Sequence, residues 1–145
     1  MSDEISELNL KDDFEKVLSC EDVSRWKLEK LGPLEVVVSL CPIGHPEEVF
    51  QARWLWLKYP DLPSLKFRDP LTGRLDLPTA WPLVRGFRPT NLDACVNWCL
   101  EGFQLHPEWK NDPKYRWENS GNVLLKVIRI FQEELDNHYQ GRFKP

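Results

Sequence analysis

No apolar run in this 145-residue chain approaches the ~18 residues that a membrane-spanning helix requires. Its first ten residues, MSDEISELNL, are acidic and lack the apolar centre of a secretory signal. That predicts a cytoplasmic protein whose thiols stay reduced. Basic tracts are missing as well. With a net charge of −4, nucleic acid is not an expected partner. Internal repeats and low-complexity segments are absent. The four cysteines, at 20, 41, 95 and 99, form no CxxC redox pair. Cys95 and Cys99 are spaced Cx3C with His106 beyond, and no second Cys/His pair completes a zinc set. Neither a metal nor a cofactor is expected.

What the chain does contain is a core. Hydrophobic residues make up 41% and aromatic residues 12%, with seven Trp, which argues against disorder. The length suits one domain spanning residues 1–145.

Residues 9–18 have helical spacing. Leu10, Phe14, Val17 and Leu18 share one face, and Asn9 is placed to cap it. Strand-like runs follow. Trp26 and Leu28 alternate with charged residues, Gly32-Pro33 turns the chain, and residues 34–40 are rich in valine. Phe50, Ala52, Trp54 and Trp56 then recur with period two. Tyr59-Pro60 and Pro63 interrupt the pattern, because proline lacks an N–H and restricts its predecessor. Residues 64–68 fit a fourth strand. Prolines at 70, 78, 82 and 89 forbid a long regular element over residues 69–89. Residues 120–139 are the strongest helix, with Val123, Leu124, Val127, Ile128, Phe131 and Leu135 on one stripe and Asn119 or Ser120 as the cap. Cys20 and Cys41 read as small apolar fillers, and His45, beside Pro46, as a loop residue. The order predicts an α+β fold, an antiparallel β-meander flanked by N- and C-terminal helices.

Residues 90–109, TNLDACVNWCLEGFQLHPEW, admit two readings. Leu92, Cys95, Val96, Cys99, Leu100 and Phe103 fit one helical stripe with Thr90 as its cap, and both cysteines are then core residues. Alternatively one of the cysteines is a nucleophile, since a thiolate attacks acyl groups readily and leaves well.

Several residues resemble the ubiquitin-conjugating (E2) enzymes. Phe50, Tyr59-Pro60, Pro63 and Phe67 take the places of that family's strand, Tyr-Pro, following Pro and strand-ending Phe. Cys99-Leu100 resembles its Cys-Leu pair, and Trp117 the tryptophan that opens a helix. The style is most similar to the divergent bacterial E2-like proteins of small ubiquitin-like conjugation systems, which also implies a link to bacterial antiviral defence. Where the family carries His-Pro-Asn, this chain has Arg88-Pro89-Thr90-Asn91.

The resemblance implies a UBC-like fold and a transferase. An E1-like activating enzyme would hand a ubiquitin-like protein to Cys99, with Cys95 in reserve, as a thioester that is passed on to an amine. Asn97 or Asn91 would stabilise the oxyanion or order the loop. Asp93, Asn97, Glu101 and His106 are local candidates for moving the amine's proton. A catalytic Cys99 should be partly exposed, in a shallow groove walled by residues 69–89 and 103–117. The other reading is a catalytically inactive E2-like or RWD-like binding module for a ubiquitin-like protein.

Overall fold

A computed structural model describes residues 3–145; the first two residues of the acidic start lie outside them. The first helix, α1 (Glu4–Leu18), begins five residues before the expected start and is capped by Asp3 rather than Asn9. The Asp3 carboxylate accepts from the backbone N–H groups of Ile5 and Ser6, each at 3.2 Å, and from the Ser6 hydroxyl at 2.9 Å. It therefore satisfies first-turn donors that have no partner inside the helix. Ser6, Leu10 and Val17 are buried, whereas Leu18, expected on the same face, is exposed.

Four strands follow as an antiparallel meander in sequence order: β1 (Lys27–Gly32), β2 (Glu35–Leu40), β3 (Phe50–Leu55) and β4 (Ser64–Arg68). The register pairs Val36 with Trp54, Val38 with Ala52 and Leu40 with Phe50. Across the next edge it pairs Ala52 with Phe67 and Trp54 with Leu65. All eight of these side chains are buried, because alternate residues of a strand share one face. The opposite face carries Glu29, Val37, Arg53 and Lys66, which are neighbours in the same register. The fold is α+β, with a four-stranded antiparallel sheet and helices at both ends.

The last helix, named α3 because a short one precedes it, spans Val123–His138 and is capped by Asn122, not by Asn119 or Ser120. Val123, Leu124, Val127, Ile128, Phe131 and Leu135 are fully buried in the hydrophobic cluster formed with the sheet. Tyr59 ties three elements together. Its hydroxyl donates to the Asp13 carboxylate on α1 and accepts from the Leu124 N–H at 3.1 Å. Its carbonyl accepts from the Ser6 hydroxyl at 3.2 Å. Burial, then the bond to Asp13, pushes the Tyr59 phenol well above its usual pKa.

Residues 69–98 have little regular structure but are well anchored. Trp81 packs on Phe67 with ring centroids 4.8 Å apart. Phe87 stacks on Phe131 at 5.8 Å, and Trp98 lies 5.9 Å from Trp54. These large apolar rings fix a segment whose prolines forbid a longer strand or helix. Among the described residues no helix is long and apolar enough to cross a membrane.

Candidate active site

Two short strands, β5 (Phe87–Arg88) and β6 (Asp93–Ala94), form a hairpin. Between them Leu92 takes a left-handed conformation, φ 57°. Arg88 and Asp93 face each other through two bonds of 2.7 and 2.8 Å. The Cys95 N–H continues the ladder to the Gly86 carbonyl at 2.7 Å. Gly86 has φ +82°, and a Cβ there would lie 2.9 Å from the Cys95 carbonyl oxygen. Glycine is what lets the two backbones meet.

This ladder ends the single-helix reading of residues 92–103. The backbone around Cys95 is committed to Gly86, Trp98 is drawn into the aromatic cluster, and α2 (Leu100–Leu105) begins only after Cys99. The Leu100 N–H then donates to the Pro63 carbonyl at 2.7 Å. Glu101 accepts from the Ser64 hydroxyl at 2.5 Å and the Leu65 N–H at 3.0 Å, fastening α2 to β4.

The two cysteines part company. Cys99 has no exposed surface, and its Sγ–H donates to the Ala94 carbonyl at 3.5 Å. Burial, and then the negative Glu101, push this thiol up to about 12. The expectation that Cys99 is partly exposed in a groove is not met, because the turn from Ala94 to Leu100 points it into the core. Cys95 is half-buried and lies in a groove of about 420 Å3. One wall comes from Arg85 and Gly86, the other from Trp109 and Tyr115, with Asn97 beside Cys95. These walls belong to the two segments expected to flank the nucleophile, but they enclose Cys95 instead.

The His106 ring brings a base to this thiol. Its Nε2 is 3.1 Å from Cys95 Sγ, and its Nδ1 is 3.0 Å from Glu108 Oε1. A carboxylate can only accept, so in the neutral ring Nδ1 carries the hydrogen and Nε2 turns its lone pair to the thiol. The imidazole is clamped by stacking. Its centroid is 4.5 Å from Trp109 at 14°, and Trp109 in turn stacks on Tyr115 at 4.4 Å and 9°. Glu108 sits below its usual pKa because of its own backbone N–H and then the bond to His106. Cys95, His106 and Glu108 thus have the relative placement that a nucleophile, a base and a base-orienting carboxylate require.

The other candidates are placed elsewhere. Asn91 is exposed and accepts from the Thr90 hydroxyl at 3.1 Å. Asp93 is taken by Arg88, and Glu101 by β4. His45 lies in a loop, 3.5 Å from Glu47. Sequence reasoning missed Glu108, Trp109 and Tyr115. Their signal was the run His106-Pro107-Glu108-Trp109, in which proline starts a tight turn (Pro107–Asn111) and folds the carboxylate and the indole back on the histidine. Among the described residues no three His, Cys, Asp or Glu side chains are grouped to hold a metal.

Fold and site together define an α+β protein with an antiparallel meander and a groove-bound cysteine paired with histidine. Compared with family models, curated proteins and solved structures, the chain gives no match.

Proposed function

We propose that this protein is an E2-like acyl carrier in which Cys95, rather than Cys99, accepts the C-terminal glycine of a ubiquitin-like protein. The observation that carries the reading is the 3.1 Å approach of His106 Nε2 to Cys95 Sγ in an open groove. The meander between two helices, with Phe50, Tyr59-Pro60, Pro63 and Phe67 where E2 enzymes have their counterparts, supports the UBC-like part.

In the first step the Cys95 thiol gives its proton to His106 Nε2. The thiolate attacks the thioester carbonyl carbon on an E1-like enzyme, and the donor's sulfur leaves as a thiol with the proton that His106 gives up, so that the ring is neutral again for the second step. Glu108 holds the imidazolium in place. In the second step an amine attacks the Cys95 thioester, a proton passes from nitrogen to His106, and the Cys95 sulfur leaves. The Asn97 amide, lining the same groove, is the side-chain donor for the tetrahedral oxygen.

The test is charging with an E1-like enzyme, ATP and a ubiquitin-like protein, read on non-reducing gels. Wild type and Cys99→Ser should form a reductant-sensitive adduct. Cys95→Ser should form none that reductant cleaves, and His106→Gln should charge more slowly. The burial of Cys99, which holds the family's Cys-Leu position, favours a second reading, the inactive E2-like or RWD-like binding module. Binding of the ubiquitin-like protein without any charging, and with Cys95 inert to alkylation, would select it.

A further inference from the structure

The His106 ring holds its place without help from the thiol. Its backbone N–H donates to the Gly102 carbonyl at 2.9 Å, and its own carbonyl accepts from the Trp109 N–H at 3.0 Å. The imidazole lies flat on Trp109, which is braced in turn by Tyr115 stacked on it and by Phe103 edge-on, 5.7 Å between centroids and 86° between planes. The bond from Nδ1 to Glu108 fixes the tautomer. None of these contacts involves the Cys95 sulfur. Nε2 therefore stays beside that sulfur when it carries an acyl group.

The carbonyl carbon of such an acyl group is bonded to an atom that stands 3.1 Å from Nε2. The Nε2 lone pair has then lost the thiol hydrogen and is free to accept one from water. Solvent reaches it, since Cys95 is only half-buried and the His106 side chain is 39% exposed. A neutral amine brings a good lone pair of its own, whereas water is a weak nucleophile that needs a base. A histidine held by a carboxylate is that base. The two charged side chains of the groove, Arg85 and Glu134, pair with each other at 2.7 Å. Val96, Trp98 and Trp109 present apolar surface to the same space. These walls suit a small acyl group without charge.

We propose that Cys95, His106 and Glu108 also hydrolyse esters and thioesters of small uncharged acyl groups, with water as the acceptor. The inference rests on the carrier reading for its nucleophile alone, and it needs neither an E1-like enzyme nor a ubiquitin-like protein. The Cys95 thiolate attacks the carbonyl carbon, the bond to the leaving oxygen or sulfur breaks, and the alcohol or thiol departs with the proton that His106 took from Cys95. Water then attacks the carbon of the Cys95 thioester and gives a proton to His106 Nε2. The carbon–sulfur bond breaks, the sulfur recovers that proton from His106, and the carboxylic acid leaves.

The test uses the full chain and 4-nitrophenyl acetate, with no other protein present. Release of nitrophenolate is followed together with the acetyl adduct on Cys95, read by intact mass and peptide mapping. Wild type should give a burst and then steady turnover, and the adduct should vanish once substrate is consumed. Cys95→Ala should give neither burst nor turnover above the buffer rate. His106→Gln should slow decay of the adduct about 100-fold or more, the lower end of what a general base contributes. Glu108→Gln, at an exposed side chain, should slow the decay less, and it stands in if His106→Gln does not fold. An adduct that persists on wild-type Cys95 overturns hydrolysis and leaves the carrier reading intact. Unchanged decay in His106→Gln, or in Glu108→Gln where it stands in, overturns the role of the base. Turnover that survives Cys95→Ala overturns the site. Ester turnover without charging from an E1-like enzyme supports hydrolysis and overturns the carrier reading alone.

Discussion

Thiol reactivity separates Cys95 from Cys99 more sharply than any other measurement. An ordinary free cysteine, with a pKa near 8.5, is about 3% thiolate at pH 7. Cys99, pushed to about 12 by burial, is thiolate to roughly one part in 10⁵ at that pH. Its alkylation should therefore be slower by a factor of about 10³ from charge alone, and slower again because the atom is enclosed. Cys95 is half-buried, opens on a groove and has a base at 3.1 Å. Iodoacetamide at pH 7, quenched over a time course and mapped by mass spectrometry, should label Cys95 first. Cys99 should remain unlabelled until the protein unfolds, and in denaturant all four thiols should react alike.

The same displacement appears in stability. The folded thiol stays protonated after the unfolded one has ionised, so the unfolded chain binds fewer protons between pH 9 and about 12. Stability must fall as pH rises through that window, with the Cys99 contribution fully present below it. Cys99→Ala should flatten the decline, by up to about 4 kcal/mol at its upper end. Native labelling of Cys99 as fast as Cys95, or an alkaline decline identical in Cys99→Ala, would refute the burial argument.

Ile128→Asp places a carboxylate among fully buried side chains. It should unfold the protein or lower the melting midpoint severely, by circular dichroism. Gly102→Ala puts a Cβ 1.8 Å from the Val96 carbonyl oxygen, so α2 must shift away from the turn that carries Cys95. It should cost about 1–3 kcal/mol or more, as overpacking of a tightly packed site does, and should slow Cys95 alkylation even where folding survives. Tyr59→Phe leaves the Leu124 N–H without its partner and Asp13 without its donor. A chemical denaturation midpoint should report a loss of about 1–3 kcal/mol, with Cys95 reactivity unchanged.

The period-two run from Phe50 to Trp54 and the stripe from Val123 to Leu135 were legible in the sequence, and both are buried as their spacing implies. Helix starts were less so. Asp3 and Asn122 each cap a helix that other polar residues nearby are equally able to start, and the choice rests on which side chain reaches the free N–H groups. In the cysteine stretch the apolar spacing was correct for a helix, yet the chain forms a hairpin and a turn. Gly86 and the aromatic cluster reach it from outside the window in which periodicity is read.

By itself, then, the sequence determined the two terminal helices, the four-stranded meander, the proline-broken segment and the stripes that must face a core, because hydrophobic period and proline sterics are local properties. Which cysteine meets solvent was decided only by tertiary structure. Trp98 pulls Cys99 inward with it, and Pro107 folds Glu108 and Trp109 onto His106, whose ring then closes on Cys95. Contacts of that range are set by how elements pack, and no short window of residues encodes them.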